Sequence, residues 1–189
     1  VVNTGAMPLE ATVAATLLNC VGYDGGEPSF EHIMDNQNRL LEGEERTTLL
    51  FTKPGQDALS QQYGSLALCA QGTVSAKPEW IKGQWWDGVQ EFWDDLLDDG
   101  LLQPARTQGT GSTLQAPPLT IGSLAVSMRV LPGETGLARM ALGWHFPNRI
   151  AGWWQNQNPM PTTQNDYARF FADAGQAAQW YRKAAETGH

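Results

Sequence analysis

Apolar and polar positions are arranged in short blocks closed by Gly and Pro. Leu9 to Leu18 is rich in Thr, Val and Leu and ends at Asn19-Cys20-Val21-Gly22. Residues 45–52, Glu-Arg-Thr-Thr-Leu-Leu-Phe-Thr, run into Lys53-Pro54-Gly55, which has the composition of a β-turn. Tyr63 to Ala70 is followed by Gly72. Leu119 to Leu131 alternates apolar and polar residues in its later part and is closed by Pro132-Gly133-Glu134. Ala138 to Phe146 is ended by Pro147. Strands separated by turns, without strand–helix–strand alternation, predict a mainly β chain folded as an antiparallel two-sheet β-sandwich.

Two segments change to helical spacing. Val89, Phe92, Trp93, Leu96 and Leu97 predict one inserted helix, with Trp93 in the core and Gly100 as the stop. Asp94, Asp95, Asp98 and Asp99 fall on the other side and read as a solvated face. Asp98 and Asp99 lie where the helix dipole disfavours negative charge, and no compensating cation is evident in the sequence. A second helix is expected from near Asp166, with Tyr167, Phe170, Phe171, Ala174, Ala178 and Tyr181 on one stripe. Trp180, Ala177, Ala184 and Ala185 widen that stripe beyond what covering one sandwich needs. The expected division is therefore a sandwich domain over 1–162 and a C-terminal linker helix over 163–189 that leads to a further domain. Residues 103–118 and 152–165 read as loops. With Val1 at one end and Gly188-His189 directly after a helical pattern, the chain reads as a fragment truncated at its start.

The 189 residues (20.7 kDa) are long enough to bury a core. Twelve Lys and Arg against 20 Asp and Glu leave a charge of −8, with no basic cluster, which argues against nucleic acid as a partner. No apolar run reaches the length of a membrane span. Charge is divided unevenly, −11 over residues 1–100 and +3 over 101–189, which reads as an acidic solvated face on the first half or as ends meeting different partners. Cys20 and Cys69 both lie in or beside apolar segments. They fit either one disulfide or two buried reduced thiols, the second favouring a cytoplasmic protein.

Candidate chemistry is sparse. Acids spaced along one helical face point outward together and cannot flank a glycosidic bond, and they lack the pattern of a calcium loop. No metal site, cofactor or serine-nucleophile elbow is evident. Trp80, Trp85-Trp86 and Trp153-Trp154 offer aromatic faces for sugar rings or for packing. Trp153 and Trp154 are the better candidates, because they sit in a Gly/Gln/Asn-rich loop. Trp144-His145-Phe146-Pro147-Asn148-Arg149 is expected to put an imidazole, an amide and a guanidinium at one strand-end rim, suited to sugar hydroxyls or to another domain's carboxylates. A simply packed strand end fits this hexapeptide equally well. Trp144, His145, Asn148, Arg149, Trp153 and Trp154 are thus the candidate substrate-rim or interdomain residues.

That hexapeptide, together with Asn165-Asp166-Tyr167-Ala168-Arg169-Phe170-Phe171-Ala172-Asp173-Ala174, resembles the N-terminal domain of the bile-acid β-glucosidase or non-lysosomal glucosylceramidase family, glycoside hydrolase family 116. Pro8-Leu9-Glu10-Ala11-Thr12-Val13, Asn19-Cys20-Val21-Gly22 and Tyr63-Gly64-Ser65-Leu66-Ala67-Leu68 follow the family's order. So do Phe92-Trp93-Asp94-Asp95, Asp99-Gly100-Leu101-Leu102 and Ile121-Gly122-Ser123-Leu124-Ala125-Val126. The resemblance implies a β-sandwich preceding an (α/α)6 catalytic domain that carries the Glu nucleophile and Asp acid/base, with no matching positions here. Gly175 and Gln176 depart from the family where relatives often show an aromatic, which bears on interdomain packing. The implied role is a non-catalytic domain of a retaining β-glucosidase, inactive alone. Its partners would be the catalytic domain and, for the whole enzyme, a β-glucoside. The rival from another class is a free-standing carbohydrate-binding module.

Overall fold

The computed structural model describes residues 1–23, 25, 35–81, 85–104, 120–151 and 162–187, with side chains left aside at 85–87 and 181–187. The strands are β1 (Leu9–Leu18), β2 (Gln37–Glu42), β3 (Thr47–Thr52), β4 (Ser65–Gln71), β5 (Thr73–Lys77), β6 (Ile121–Val130), β7 (Arg139–His145), β8 (Asn148–Ile150) and β9 (Thr162–Gln164). The helices are α1 (Trp85–Asp99) and α2 (Ala174–Thr187), with a 3-10 turn at Asp166–Arg169. One sheet has the order β1-β6-β5 and the other β2-β3-β4-β7, and all their pairings are antiparallel. The chain is mainly β, a two-sheet sandwich, as its patterning predicts. A short β8–β9 pair completes the strands.

Side-chain size assigns the faces. Leu49 and Phe51 of β3, Leu68 and Ala70 of β4, and Leu124 and Val126 of β6 meet between the sheets as the central core. The intervening residues turn outward and, apart from Leu50 under α2, are smaller. Ala67, Cys69, Ala141 and Gly143 form a shallow seat on the four-stranded sheet, where Ala174 and Ala178 of α2 settle. On the three-stranded sheet Ala14 and Ala125 seat Phe92 and Leu96 of α1, beside Trp80 and Leu102. Thr12–Ser127 and Thr16–Ser123 join the same face through hydroxyl pairs at 3.2 and 2.8 Å. The result has four layers, α1 over one sheet and α2 over the other. Buried on both faces, β3 and β4 read as nearly continuous apolar runs rather than clean alternation.

One end of the sandwich is closed by amides. Asn19, fully buried, donates through Nδ2 to the carbonyls of Gln37 and Thr52 at 3.1 Å and to Asn38 Oδ1. Its Oδ1 accepts from Val21 N and Asn36 Nδ2. Asn36 reaches back to the Asn19 and Val21 carbonyls, and Thr120 donates to the Asn36 carbonyl. Strand-end carbonyls that would otherwise be buried without donors are satisfied by side-chain amides.

Several expectations require correction. Trp93 is 52% exposed, because α1 turns Phe92 and Leu96 inward and Val89, Trp93 and Leu97 outward. The final helix does not begin near Asp166. The 3-10 turn stops at Arg169, Phe170 is exposed, and α2 starts at Ala174 after Asp173, whose Oδ1 caps Gln176 N. Gln176 in turn accepts from Ala172 N, one residue ahead of the cap, through Oε1. Cys20 is exposed and Cys69 buried, and neither is in a disulfide.

Gly143 is the tightest point of the helix–sheet contact. A Cβ there would lie 2.5 Å from the Ala174 carbonyl oxygen and 2.9 Å from the Ala178 methyl. Gly143→Ala is expected to lift α2 from β7 and to lower stability by about 1–3 kcal/mol. Urea unfolding measures the loss. Hydrogen exchange should show α2 amides losing protection while β3 and β6 keep theirs; unchanged α2 protection would show that the contact is not limiting.

Candidate functional site

The end of β7 and the start of β8 hold four of the six candidate residues, two each, and alternation within each strand sends them to different sides. Trp144 points away from α2 and is 62% exposed, next to Leu142 at 53%. His145 is buried on the opposite face, edge-on to the Tyr167 ring with centroids 5.5 Å apart, and its Nε2 has no hydrogen-bond partner. Asn148 is also buried and donates through Nδ2 to the carbonyls of Ala58 (2.7 Å) and Ser60 (2.8 Å), pinning the 57–63 loop. Arg149 is exposed. The imidazole and the amide are therefore internal, and only Trp144 and Arg149 face outward. Trp153 and Trp154 lie outside the described residues, as do the side chains of Trp85 and Trp86.

The two segments that first suggested a family meet in space. Asn165 Nδ2 donates to the Phe146 carbonyl at 2.9 Å, the Tyr167 hydroxyl donates to the same oxygen at 2.5 Å, and Phe146 N donates to the Tyr167 oxygen at 3.3 Å. Asn165 N donates to the Pro147 carbonyl. Because Pro147 cannot continue the strand ladder, the backbone beside it takes its partners from the Asn-x-Tyr segment twenty residues later. Gly64 completes the knot, since a Cβ there would lie 2.4 Å from the His145 carbonyl oxygen and 2.5 Å from the Phe146 ring. Ser65, paired with His145 across the sheet, accepts from Ala174 N at 2.9 Å and so ties the same corner to the start of α2. Most of this corner is occupied in holding the chain together.

Trp80 is likewise structural. It stacks on Phe92 at 4.8 Å and donates from Nε1 to Ser123 at 2.8 Å. Among the described residues, clefts lie at the opposite end of the four-stranded sheet. One of about 580 Å³ is lined by the Gly43–Thr47 turn, Gln71 and Arg139. Its carboxylates, Glu44 and Glu45, come from a single turn and do not oppose each other across a space for a glycosidic bond. Among the described residues no group of three or more His, Cys, Asp or Glu is placed to hold a metal ion, and no helix is long and apolar enough to cross a membrane.

The feature that sequence reasoning missed is an ion cluster under α1. Lys77, at the end of β5, is fully buried, with Nζ 2.7 Å from Glu91 Oε1 and 3.1 Å from Asp95 Oδ2. Asp95 Oδ2 also accepts from Gln103 N at 2.9 Å. The solvated-face reading of the acids therefore fails for Asp95. Glu91 and Asp95, one turn apart, share the inward side of the helix with Phe92 and Leu96. The only sequence signal was a lone Lys at the end of a Thr/Ser/Ala strand.

Small-residue seats, a helix over each sheet and a strand end tied by Asn and Tyr define a two-sheet sandwich domain. The family profile described as beta-glucosidase 2, glycosyl-hydrolase family 116, N-terminal domain matches residues 1–188. The chain belongs to this family of glycoside hydrolase N-terminal domains. No curated protein matches it.

Replacing Lys77 by Met would leave two part-buried carboxylates without their cation. A loss of about 3–5 kcal/mol is expected in denaturant unfolding. Replacing Lys77, Glu91 and Asp95 together by Met, Leu and Leu should recover most of that loss, and a triple variant as unstable as the single one would contradict the ion-cluster account.

Proposed function

We propose that this chain is a non-catalytic sandwich domain that braces the (α/α)6 catalytic domain of a retaining β-glucosidase or glucosylceramidase-like enzyme. The observation that carries the reading is the family profile, which spans nearly the whole chain and describes an N-terminal domain. The companion domain is its natural partner, and a β-glucoside is the substrate of the assembled enzyme. Residues 1–162 form the brace, and 163–189 lead from it. The inward side of α2 is seated at Ala174 and Ala178, while Trp180 on the same helix is exposed. At the strand-end rim the role falls to Trp144 and Arg149, the two described candidates that a neighbouring domain or a sugar can reach. His145 and Asn148 support them from inside. A cytoplasmic location fits two cysteines that are not joined in a disulfide.

Hydrolysis of a β-glucoside needs an acid and a nucleophile facing each other across the bond, about 5–5.5 Å apart in a retaining enzyme. Among the described residues no such pair is present. Asp95 is held by Lys77, and Asp94, Asp98 and Asp99 point outward from one helix. The purified chain is therefore expected to leave aryl β-glucosides unhydrolysed above a buffer blank. Turnover abolished by Asp94→Asn or Asp99→Asn would overturn the non-catalytic reading.

The exposed Trp144 at the strand-end rim is the observation that bears on a binding module there. Glucose and cellobiose titrations followed by tryptophan fluorescence separate the two readings. No saturation is expected at millimolar sugar, an affinity weaker than about −4 kcal/mol. Micromolar binding lost in Trp144→Ala would favour the module.

A further inference from the structure

Strand β7 is an edge of the four-stranded sheet, and among the described residues no strand pairs with its outer side. Edge strands are commonly guarded by Lys, Pro, a bulge or an inward charge. The other edge of this sheet, β2, carries Arg39 and Glu42. Between Met140 and Trp144, β7 carries neither a charge nor a Pro. Apolar side chains flank it on both faces. On the face between the sheets Met140 packs against the core, whereas Leu142 and Trp144, aligned with Leu68 and Leu66 of β4, are 53% and 62% exposed. On the other face α2 lies over the β4–β7 pair, seated on Ala67, Ala141 and Gly143. Gly175 turns toward Thr48 and Leu50 of β3. At about 100° per residue, Ala177 and Trp180 lie on the opposite side of the helix, along the β7 edge. Trp180 is 60% exposed.

We infer that β7 is a self-pairing edge, through which two copies of this chain join antiparallel about a two-fold axis at Leu142. The four-stranded sheets then become one sheet continuous across both copies. Leu142 is the midpoint of Arg139–His145, so this register pairs the whole strand. It sets Leu142 against Leu142, Met140 against Trp144 and Ala141 against Gly143 of the second copy, each pair on one face. Arg139 falls opposite His145, which holds the two Arg139 side chains at opposite ends of the pair.

The complementary surface is this chain's own, and its dimensions fit. Neighbouring strands lie about 4.8 Å apart, so helices centred over β4–β7 in the two copies come to about 10 Å from each other, within helix-packing distance. Gly143 sits under Ala174 and Ala178, which brings the small Ala177 within a turn of the axis and lets the helices close. Trp144 and Trp180 are each more than half exposed. An aromatic side chain buries about 150–250 Å². With Leu142 and the strand backbone, the two copies bury roughly 1,200 Å², the lower end of the range for stable interfaces. Charge agrees, because β7 and α2 belong to residues 101–189, which total +3, and the −11 lies in residues 1–100. Self-pairing is independent of the bracing role, and it covers Trp144 with the second copy.

Sedimentation equilibrium of the full 189-residue chain over about 1–200 μM tests the pairing, and a monomer–dimer equilibrium is expected from an interface of this size. Leu142→Lys and Leu142→Glu each set like charges against each other at the axis and are expected to weaken association at least about tenfold. Because position 142 meets itself, an equal mixture of the two variants should recover a dimer with one copy of each. Leu142 is exposed, and thermal melts matching the parent chain confirm that both variants are folded. A parent chain that stays monomeric throughout would overturn self-pairing, leaving the edge to another domain and the bracing role intact. Parent-like dimers in both variants would place the association elsewhere and overturn it as well. A mixture that stays monomeric would overturn the two-fold pairing at Leu142.

Discussion

The rest of this chain depends on two sheets that turn most of their bulk toward each other and keep their outer faces low enough for a helix, with Leu50 the large exception beneath α2. Between the sheets, Leu49, Phe51, Leu68, Leu124 and Val126 supply the bulk. On the outer faces, Ala, Gly, Ser and Cys keep the surface shallow enough for a helix to come close. Burial of large apolar side chains stabilises by about 1.5–3 kcal/mol each, so the inner layer dominates the energetics. The outer layers decide which helix fits where. A methyl group in excess at Gly143 or Gly64 meets backbone atoms that cannot step aside.

The polar interior follows from the same closure. Once helices cover the sheets, strand ends and turns must find partners inside the protein. Asn19 and Asn36 satisfy the carbonyls at one corner, and Asn165 with Tyr167 satisfies Phe146 at another. Asn148 does the same for the 57–63 loop. The motifs that suggest a glycoside hydrolase family are largely these ties. Their pattern specifies the architecture.

How much was legible depended on whether the deciding contact was local. Strands β1, β3, β4, β6 and β7 were readable from apolar runs ending at Pro or Gly. Strand β2 was not, because Gln37-Asn38-Arg39-Leu40-Leu41-Glu42 is a mostly polar edge. Strand β5 follows Gly72 directly, and Thr73-Val74-Ser75-Ala76-Lys77 has no apolar run to mark it. Helix α1 was found, but its orientation was misjudged at Trp93. Apolar spacing alone allows a ridge centred on Trp93, and the inward side is settled by Lys77, fourteen residues before Glu91. At the β7 end, the hexapeptide marks where the strand stops ahead of Pro147. Which side chains faced outward depended on strand alternation and on Tyr167, contacts that no local pattern contains.

The contact at Gly143 also has a mechanical meaning. With no side chain between them, α2 and β7 meet backbone against small side chain, and Ser65 ties the first turn of the helix to the same strand pair. A compliant layer of long side chains would absorb a shift of the helix; this one transmits it. A push or pull on α2 is therefore delivered to β7 with little slack, and the edge strand carrying Trp144 moves with the helix as a single lever.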